Sequence, residues 1–290
     1  MIPIDPLKFD HSKFHRLLLG SIAPRPIALA STIDADGNPN LSPFSFFNAF
    51  GVNPATLIFS PSRRGRDNTT KHTYQNLREI PEVVINVVTY NMVQQVSLSS
   101  TEYPKGVNEF VKAGLTPLQS ERIRPYRVSE SPVQFECKVR EIIETGDGPG
   151  AGNLVICDIL LMHVDQSVLN DKQEIDQEKI DLVGRMGGDY YVRTSGNAKF
   201  IVPKPLSSMG IGIDRLPEKI RFSPFLSGND LGHMGNLEEL PDKDLIQNFG
   251  ENTQLKAQIS SNHNNVFTLA KNWIAEGRPA DALALLMAFV

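Results

Sequence analysis

Short apolar runs, each cut off by proline, glycine or asparagine, constrain this fold more than any other feature. Residues 27–33, 41–50, 56–59, 82–89, 133–143 and 154–164 carry such runs, rich in Val, Ile, Phe and Thr. Runs of this kind, bounded by turn formers, read as β-strands. Asp36-Gly37, between the first two, is a strong hairpin signal because glycine accepts the positive φ that a tight turn demands. Residues 133–143 and 154–164 flank Gly146, Gly148, Gly150 and Gly152. A dinucleotide-binding loop needs a strand before it and a helix after it. Here a strand follows, so these glycines read as a hairpin loop. Up to about residue 195, helical spacing is confined to short stretches at 11–19, 70–78, 92–99 and 107–113. Many short strands with interspersed helices suit a closed antiparallel barrel, which leaves no edge exposed. The expected fold class is therefore mainly β with added helices.

The character changes near Thr194, and the expected division is 1–195 and 196–290. Residues 200–226 contain Pro203, Pro205, Pro217 and Pro224 and read as an extended wrapping segment. Residues 227–241 read as a loop and 242–262 as a polar linker. Residues 264–276 then place Val266, Leu269, Ala270, Trp273 and Ile274 on one helical side. Gly277 fits just past that helix, and Pro279 fits the opening of a second over 280–289. This helical hairpin ends the extension and is expected to dock on the barrel or on a partner subunit. A chain of 290 residues, 40% of them hydrophobic, can bury one large core or two ordinary ones.

Several chemistries are argued against by absence of their signals. Cys137 and Cys157 lie on the two runs beside the glycine-rich turn, where symmetric pairing would bring them close. Two reduced, buried thiols are the plainer reading. No run reaches the roughly eighteen apolar residues of a membrane span. The N-terminus lacks the basic start and apolar core of a signal peptide, so cytoplasmic residence is expected. His11 and His15 share a helical face without a third ligand, and no metal site is expected. The acidic stretch 171–181 reads as a solvated loop. The chain has a formal net charge of -4 and one small basic cluster, so nucleic acid is not an expected partner.

That cluster carries the chemistry. Arg63, Arg64, Arg66 and Lys71 lie close together, with Asp67 the one acid among them and Ser60, Ser62, Thr69, Thr70 and Thr73 around them. Guanidinium forks among hydroxyls suit a phosphate; a solvated basic loop is the alternative. Just upstream, Asn40-Leu41-Ser42-Pro43-Phe44-Ser45-Phe46-Phe47-Asn48 alternates small polar residues with aromatics. That composition suits an extended segment turned towards a planar heteroaromatic ring, hydrogen-bonded at its edge and packed on its face.

Taken together, PRPIALASTIDADGNPNLSPFSFFNAF, NPATLIFSPS and TKHTYQNL resemble the FMN-binding split barrels of the flavin reductase-like family, flavoredoxin type. The resemblance continues through ESPVQFECKV at 130–139, His163-Val164-Asp165 and the stretch from Gly184-Arg185 to Tyr190-Tyr191, and covers about residues 10–195. It implies a split β-barrel homodimer with FMN near the subunit interface. Asn40, Ser42, Pro43, Ser45, Phe46 and Phe47 would line the ring. Ser60, Ser62, Arg63, Arg64, Lys71 and Thr73 would surround the phosphate and ribityl chain, with Arg185 near the flavin. The family commonly has Lys-Asp-Thr where this chain has Lys71-His72-Thr73, which leaves His72 without an inherited role. The implied activity is an NADH- or NADPH-dependent flavin reductase. A non-catalytic FMN electron carrier serving a partner protein, or a flavin-sensing protein, would need the same contacts.

Overall fold

The computed structural model describes residues 1–203, 209–260 and 264–290, which form two compact units, Met1–Lys199 and Phe200–Val290. Pro205 of the expected extended segment and Asn262 of the expected linker lie outside the described residues.

The first unit opens with helix α1 (His11–Ser21), capped by the Asp10 carboxylate, which accepts the Lys13 N–H at 2.8 Å. Strand β1 (Ala28–Ile33) turns through Asp34 and Gly37, φ 86°, into β2 (Pro39–Phe44). Asp34 Oδ1 accepts the N–H groups of Asp36 and Asn38 at 3.1 and 2.8 Å, fixing that turn. Then come β3 (Phe47–Val52), β4 (Ala55–Phe59), helix α2 (His72–Glu79), β5 (Glu82–Val87), and helices α3 (Val93–Leu98) and α4 (Glu109–Ala113). A small pair, β6 (Pro117–Leu118) and β7 (Arg127–Val128), precedes the long hairpin β8 (Val133–Glu144) and β9 (Asn153–Val164). A second small pair, β10 (Val183–Arg185) and β11 (Tyr191–Arg193), closes the unit.

The main sheet is antiparallel throughout, in the order β2-β1-β5-β8-β9-β4-β3. Its two edge strands, β2 and β3, are consecutive in sequence and joined by Ser45-Phe46 alone. Laid flat, seven strands at about 4.8 Å spacing would hold those edges about 29 Å apart. The three Cα steps from Phe44 to Phe47 reach at most about 11 Å. The sheet therefore curls until the end of β2 meets the start of β3, and the closure is a covalent link rather than a hydrogen-bond ladder. The single strand expected over 41–50 is thus two strands on opposite edges; apolar content alone carries no mark of the switch at Ser45-Phe46.

Every residue of β1 is buried because both its faces are covered. Ala28 and Ala30 join Phe44, Phe59, Ile85 and Val155 in one core. Leu29 faces Leu41, Met92, Val96 and Phe110 in another, roofed by α3 and α4. The Phe44 and Phe59 rings lie 5.5 Å apart, tying β2 to β4 across the closure. Burying one such ring contributes about 1.5–3 kcal/mol. Cys137 and Cys157 are free and buried in the first core. Two register shifts set Cys137 opposite Ile159 and Cys157 opposite Val139, so the expected symmetric juxtaposition is offset. Burial, then the nearby Asp158 and Glu136, push the Cys137 thiol up to about 12.

The second unit is helical: α5 (Glu218–Arg221), α6 (Gly228–Gly235), α7 (Lys243–Glu251), α8 (Thr253–Ser260), α9 (Asn265–Ala275) and α10 (Pro279–Phe289). Helices replace the expected wrapping segment at 218–221, the expected loop at 228–235 and the expected linker at 243–260. For α6, α7 and α8 the reason is local capping. Ser227 and Asp230 form a capping box, and Asp242 accepts the Leu245 N–H at 2.6 Å. Asn252 accepts from Gln254 and Leu255 at 3.0 and 3.1 Å. The α9–α10 hairpin is present, with Gly277 at φ 79° in its turn. Its Phe267, Ile274, Leu283 and Leu286 share a core with Ile220 and Met234 of the same unit. Trp273 packs on Phe249, with 5.4 Å between ring centroids. Among the described residues no helix is long and apolar enough to cross a membrane.

Candidate functional site

The loop after β4 folds back on itself and gathers the cations. Asp67 starts the fold, accepting the Thr69 N–H at 3.0 Å and its hydroxyl at 2.6 Å. Those bonds, with smaller help from Arg66, hold its carboxyl down at about 2. Asn68 turns the chain with φ 57°. Its side-chain and backbone oxygens take the Arg63 guanidinium at 2.8 and 2.6 Å. Arg63 N–H donates to Ala151 O at 2.9 Å, and Asn68 Nδ2 donates to Asp147 O at 2.9 Å, so the β8–β9 hairpin braces the loop. Arg64 donates to Thr69 Oγ1 at 3.0 Å and Thr70 O at 2.5 Å.

One residue of this cluster is absent from the sequence-based set. Glu102, from the segment after α3, accepts from Arg64 Nε at 3.0 Å, pairs with Arg66, and lies 3.9 Å from Lys71 Nζ. Asp67 is therefore not the only acid among these cations. Four cations against two carboxylates still leave an excess of two positive charges. Burial, then Arg64, lower the pKa of Lys71 from its ordinary value. His72 is lowered by burial first, then by Arg64, Lys105 and Lys71.

A cavity of about 430 Å³ runs from this loop to the β2–β3 link. Pro43, Ser45 and Phe46 line it from the β2–β3 link, and Ser60, Ser62, Arg63, Arg64, Arg66 and Lys71 line it from the loop, with Glu102 beside them. Pro43 belongs on an edge strand, where its missing N–H breaks no ladder. Phe46 is 40% exposed, presenting a large aromatic to the opening. Ser60 is buried and accepts the Asn153 N–H at 3.0 Å. A narrow neighbouring recess contains Asn40, Ser42 and Thr73, with Arg64, Lys71 and Glu102 shared between the two.

The remaining expected residues stand apart. Asn40 Nδ2 is spent inside the fold, donating to Thr32 Oγ1 at 3.2 Å and Thr73 Oγ1 at 2.9 Å. These two residues hold β2 against α2. Phe47 packs on the barrel core and does not line the cavity. Arg185 lines an adjoining cavity of about 180 Å³, which shares Pro43 and Ser45 with the first. Arg25 connects these parts and was not anticipated. Buried, it donates to Leu19 O, Ile22 O and Met186 O at 2.7, 2.5 and 2.9 Å, and reaches Ser45 Oγ at 3.4 Å. Its backbone exchanges two hydrogen bonds with Arg185, at 2.9 and 2.8 Å. A lone arginine between two prolines in sequence carries no sign of this role.

The arrangement fits a flavin mononucleotide. A phosphate monoester carries about −1.5 to −2 charge at pH 7, which the excess of two positive charges matches. The cavity volume falls in the common range for small-molecule sites, about 300–1,000 Å³. Pro43 and Phe46, both in the lining, offer apolar and aromatic surface that suits contact with a ring face. Comparison with known proteins gives the family. Residues 19–177 match the family described as the flavin reductase like domain. An uncharacterized protein of Aquifex aeolicus is 37% identical over 193 residues, 67% of this chain and 96% of its own length. Nitrilotriacetate monooxygenase component B from Bacillus cereus superposes with a TM-score of 0.65 at 28% identity, covering 70% of this chain and 98% of its own. The 2-nitrobenzoate 2-nitroreductase of Pseudomonas fluorescens gives 0.62 at 25% identity, covering 72% and 100%.

Proposed function

The chain belongs to the flavin reductase-like family, and from that premise we propose that it is an FMN-binding oxidoreductase drawing electrons from NADH or NADPH. The observation that carries this reading is the continuity of one cavity from a cation-lined loop to the Pro43–Phe46 wall. When bound, the flavin supplies the hydride and single-electron chemistry. The residues of this chain bind and orient it. Arg63, Arg64 and Lys71 hold the phosphate, with Ser60 and Ser62 beside it. Ser42, Pro43, Ser45 and Phe46 face the ring, and Asn40 and Thr73 keep their strand in place. Phe47 supports that wall from behind. Residues 1–195 form the flavin-binding domain and 196–290 an extension outside the chemistry.

The protein is a cytoplasmic homodimer. Strand β3 supports the dimer: it is a sheet edge that exposes Phe50 at 64% and Val52 at 94%. Such an edge invites pairing or cover. A free flavin or an electron-acceptor protein takes the electrons onward. The test is NADH and NADPH oxidation with FMN added to the purified protein. Turnover above the flavin-only control supports a reductase. FMN binding without turnover makes the protein an electron carrier, and no binding removes the reading altogether.

A further inference from the structure

A larger cavity, of about 600 Å³, opens between α3 and the β10–β11 hairpin. It shares Ser97, Ser100, Arg185 and Tyr191 with the 180 Å³ cavity, which in turn touches Pro43 and Ser45 of the ring wall. Two stacked pairs flank it. The Arg185 guanidinium sits 4.5 Å from the Tyr191 ring centroid, and that of Arg193 sits 4.0 Å from the Tyr90 centroid. The two arginines differ in charge balance. Arg193 is neutralised by Asp181, to which it donates at 2.7–3.1 Å. Arg185 has only the Tyr190 carbonyl at 3.4 Å, and no carboxylate pairs with it among the described residues. Asp189 is the one acid lining this cavity.

A guanidinium stacked on an aromatic ring is held in plane, with its N–H fork free for an anion at the side. Tyr90 and Tyr191, 49% and 43% exposed, offer ring faces, and Ser97 and Ser100 offer hydroxyl donors. The sequence shows no glycine-rich dinucleotide fingerprint between a strand and a helix, so a nicotinamide cofactor would be held without that loop. We infer that this cavity receives the second redox substrate, a planar aromatic molecule whose negative charge, phosphate or carboxylate, rests on Arg185. The inference rests on the flavin reading above and gives Arg185 to the second substrate rather than to FMN.

The test begins with FMN titration of the wild type, Arg185→Met and Arg185→Lys. The backbone, not the side chain, of Arg185 pairs with Arg25, so both variants keep that link. FMN-loaded proteins are then titrated with NAD+, NADP+ and benzoate, which cannot reduce the oxidised flavin and which separate phosphate-bearing from carboxylate-bearing ligands. At least one probe should perturb the wild-type flavin spectrum saturably. Arg185→Met should raise that half-saturation tenfold or more, Arg185→Lys should recover part of it, and FMN affinity should stay within twofold. The inference is overturned if no probe saturates, if Arg185→Met moves half-saturation less than tenfold, or if it weakens FMN itself tenfold. Failure of wild-type FMN binding would show at the first titration and sink the flavin reading separately. Calorimetric titration of the same probes into the unloaded protein would then decide for or against Arg185.

Discussion

Arg64 and Glu102 meet across 38 positions of sequence, and their pairing sets the charge balance at the mouth of the cavity. The cations were legible because they are neighbours in the chain. Glu102 was not, because only the fold brings its segment to the loop. A phosphate bound there must share Arg64 and Lys71 with that carboxylate. Glu102→Gln should therefore tighten FMN about threefold or more, a gain of ~0.7 kcal/mol, in the range of partly exposed ion pairs. Riboflavin, which lacks the phosphate, should not respond; parallel fluorescence titrations of both flavins check this. His72 gives a pH signature. Its pKa is lowered in the fold, so the unfolded chain binds the proton more readily and stability drops as pH falls through the ordinary imidazole value. His72→Gln should flatten part of the loss between about pH 7 and pH 5 in denaturant midpoints, against the ordinary value of about 6.5.

Strands and helices were legible in unequal measure. The β8–β9 hairpin and the α9–α10 hairpin follow from apolar spacing and glycine placement. Helices α6, α7 and α8 escaped because their polar composition outweighed the capping residues Ser227, Asp242 and Asn252. The break between β2 and β3 escaped because closing a barrel is a property of the whole sheet, not of Ser45-Phe46. One buried contact on β8 and β9 tests the barrel. Glu136 is fully buried, and burial alone would raise its carboxyl. The Glu121 and Arg122 N–H groups at 2.9 and 2.6 Å, with His163 Nε2 at 2.7 Å, reverse that and lower it. Its contribution to stability is therefore present above the ordinary glutamate value and lost as pH falls through the depressed one. Glu136→Gln should cost about 1–3 kcal/mol at pH 7 in chemical unfolding. The gap to wild type should shrink below about pH 4.5, the ordinary carboxyl value. An equal gap at both pH values would assign the loss to packing instead.

At the scale of the whole molecule, the helical unit has a core of its own, separate from the cores of the barrel unit. The family match ends at residue 177, and the helical unit has its own core. Deleting 264–290 removes Phe267, Ile274, Leu283 and Leu286 from that core, so calorimetry should show loss of a thermal transition or lowered solubility. FMN affinity of the remaining chain should stay within about threefold of wild type, since 1.4 kcal/mol would be needed for tenfold. Light scattering should give about twice the chain mass of 32.1 kDa at micromolar concentration. A mass of one chain would remove the dimer proposed from the exposed β3 edge. The central claim is that the loop holding Arg63 and Arg64 binds the phosphate of FMN. Its most direct measurement is the affinity of the Arg63→Ala, Arg64→Ala double variant for FMN and for riboflavin, beside wild type. Charge-assisted contacts contribute about 1.5–3 kcal/mol each, so FMN should weaken by tenfold or more while riboflavin changes little. Equal weakening of both flavins, or no weakening of FMN, would contradict the account.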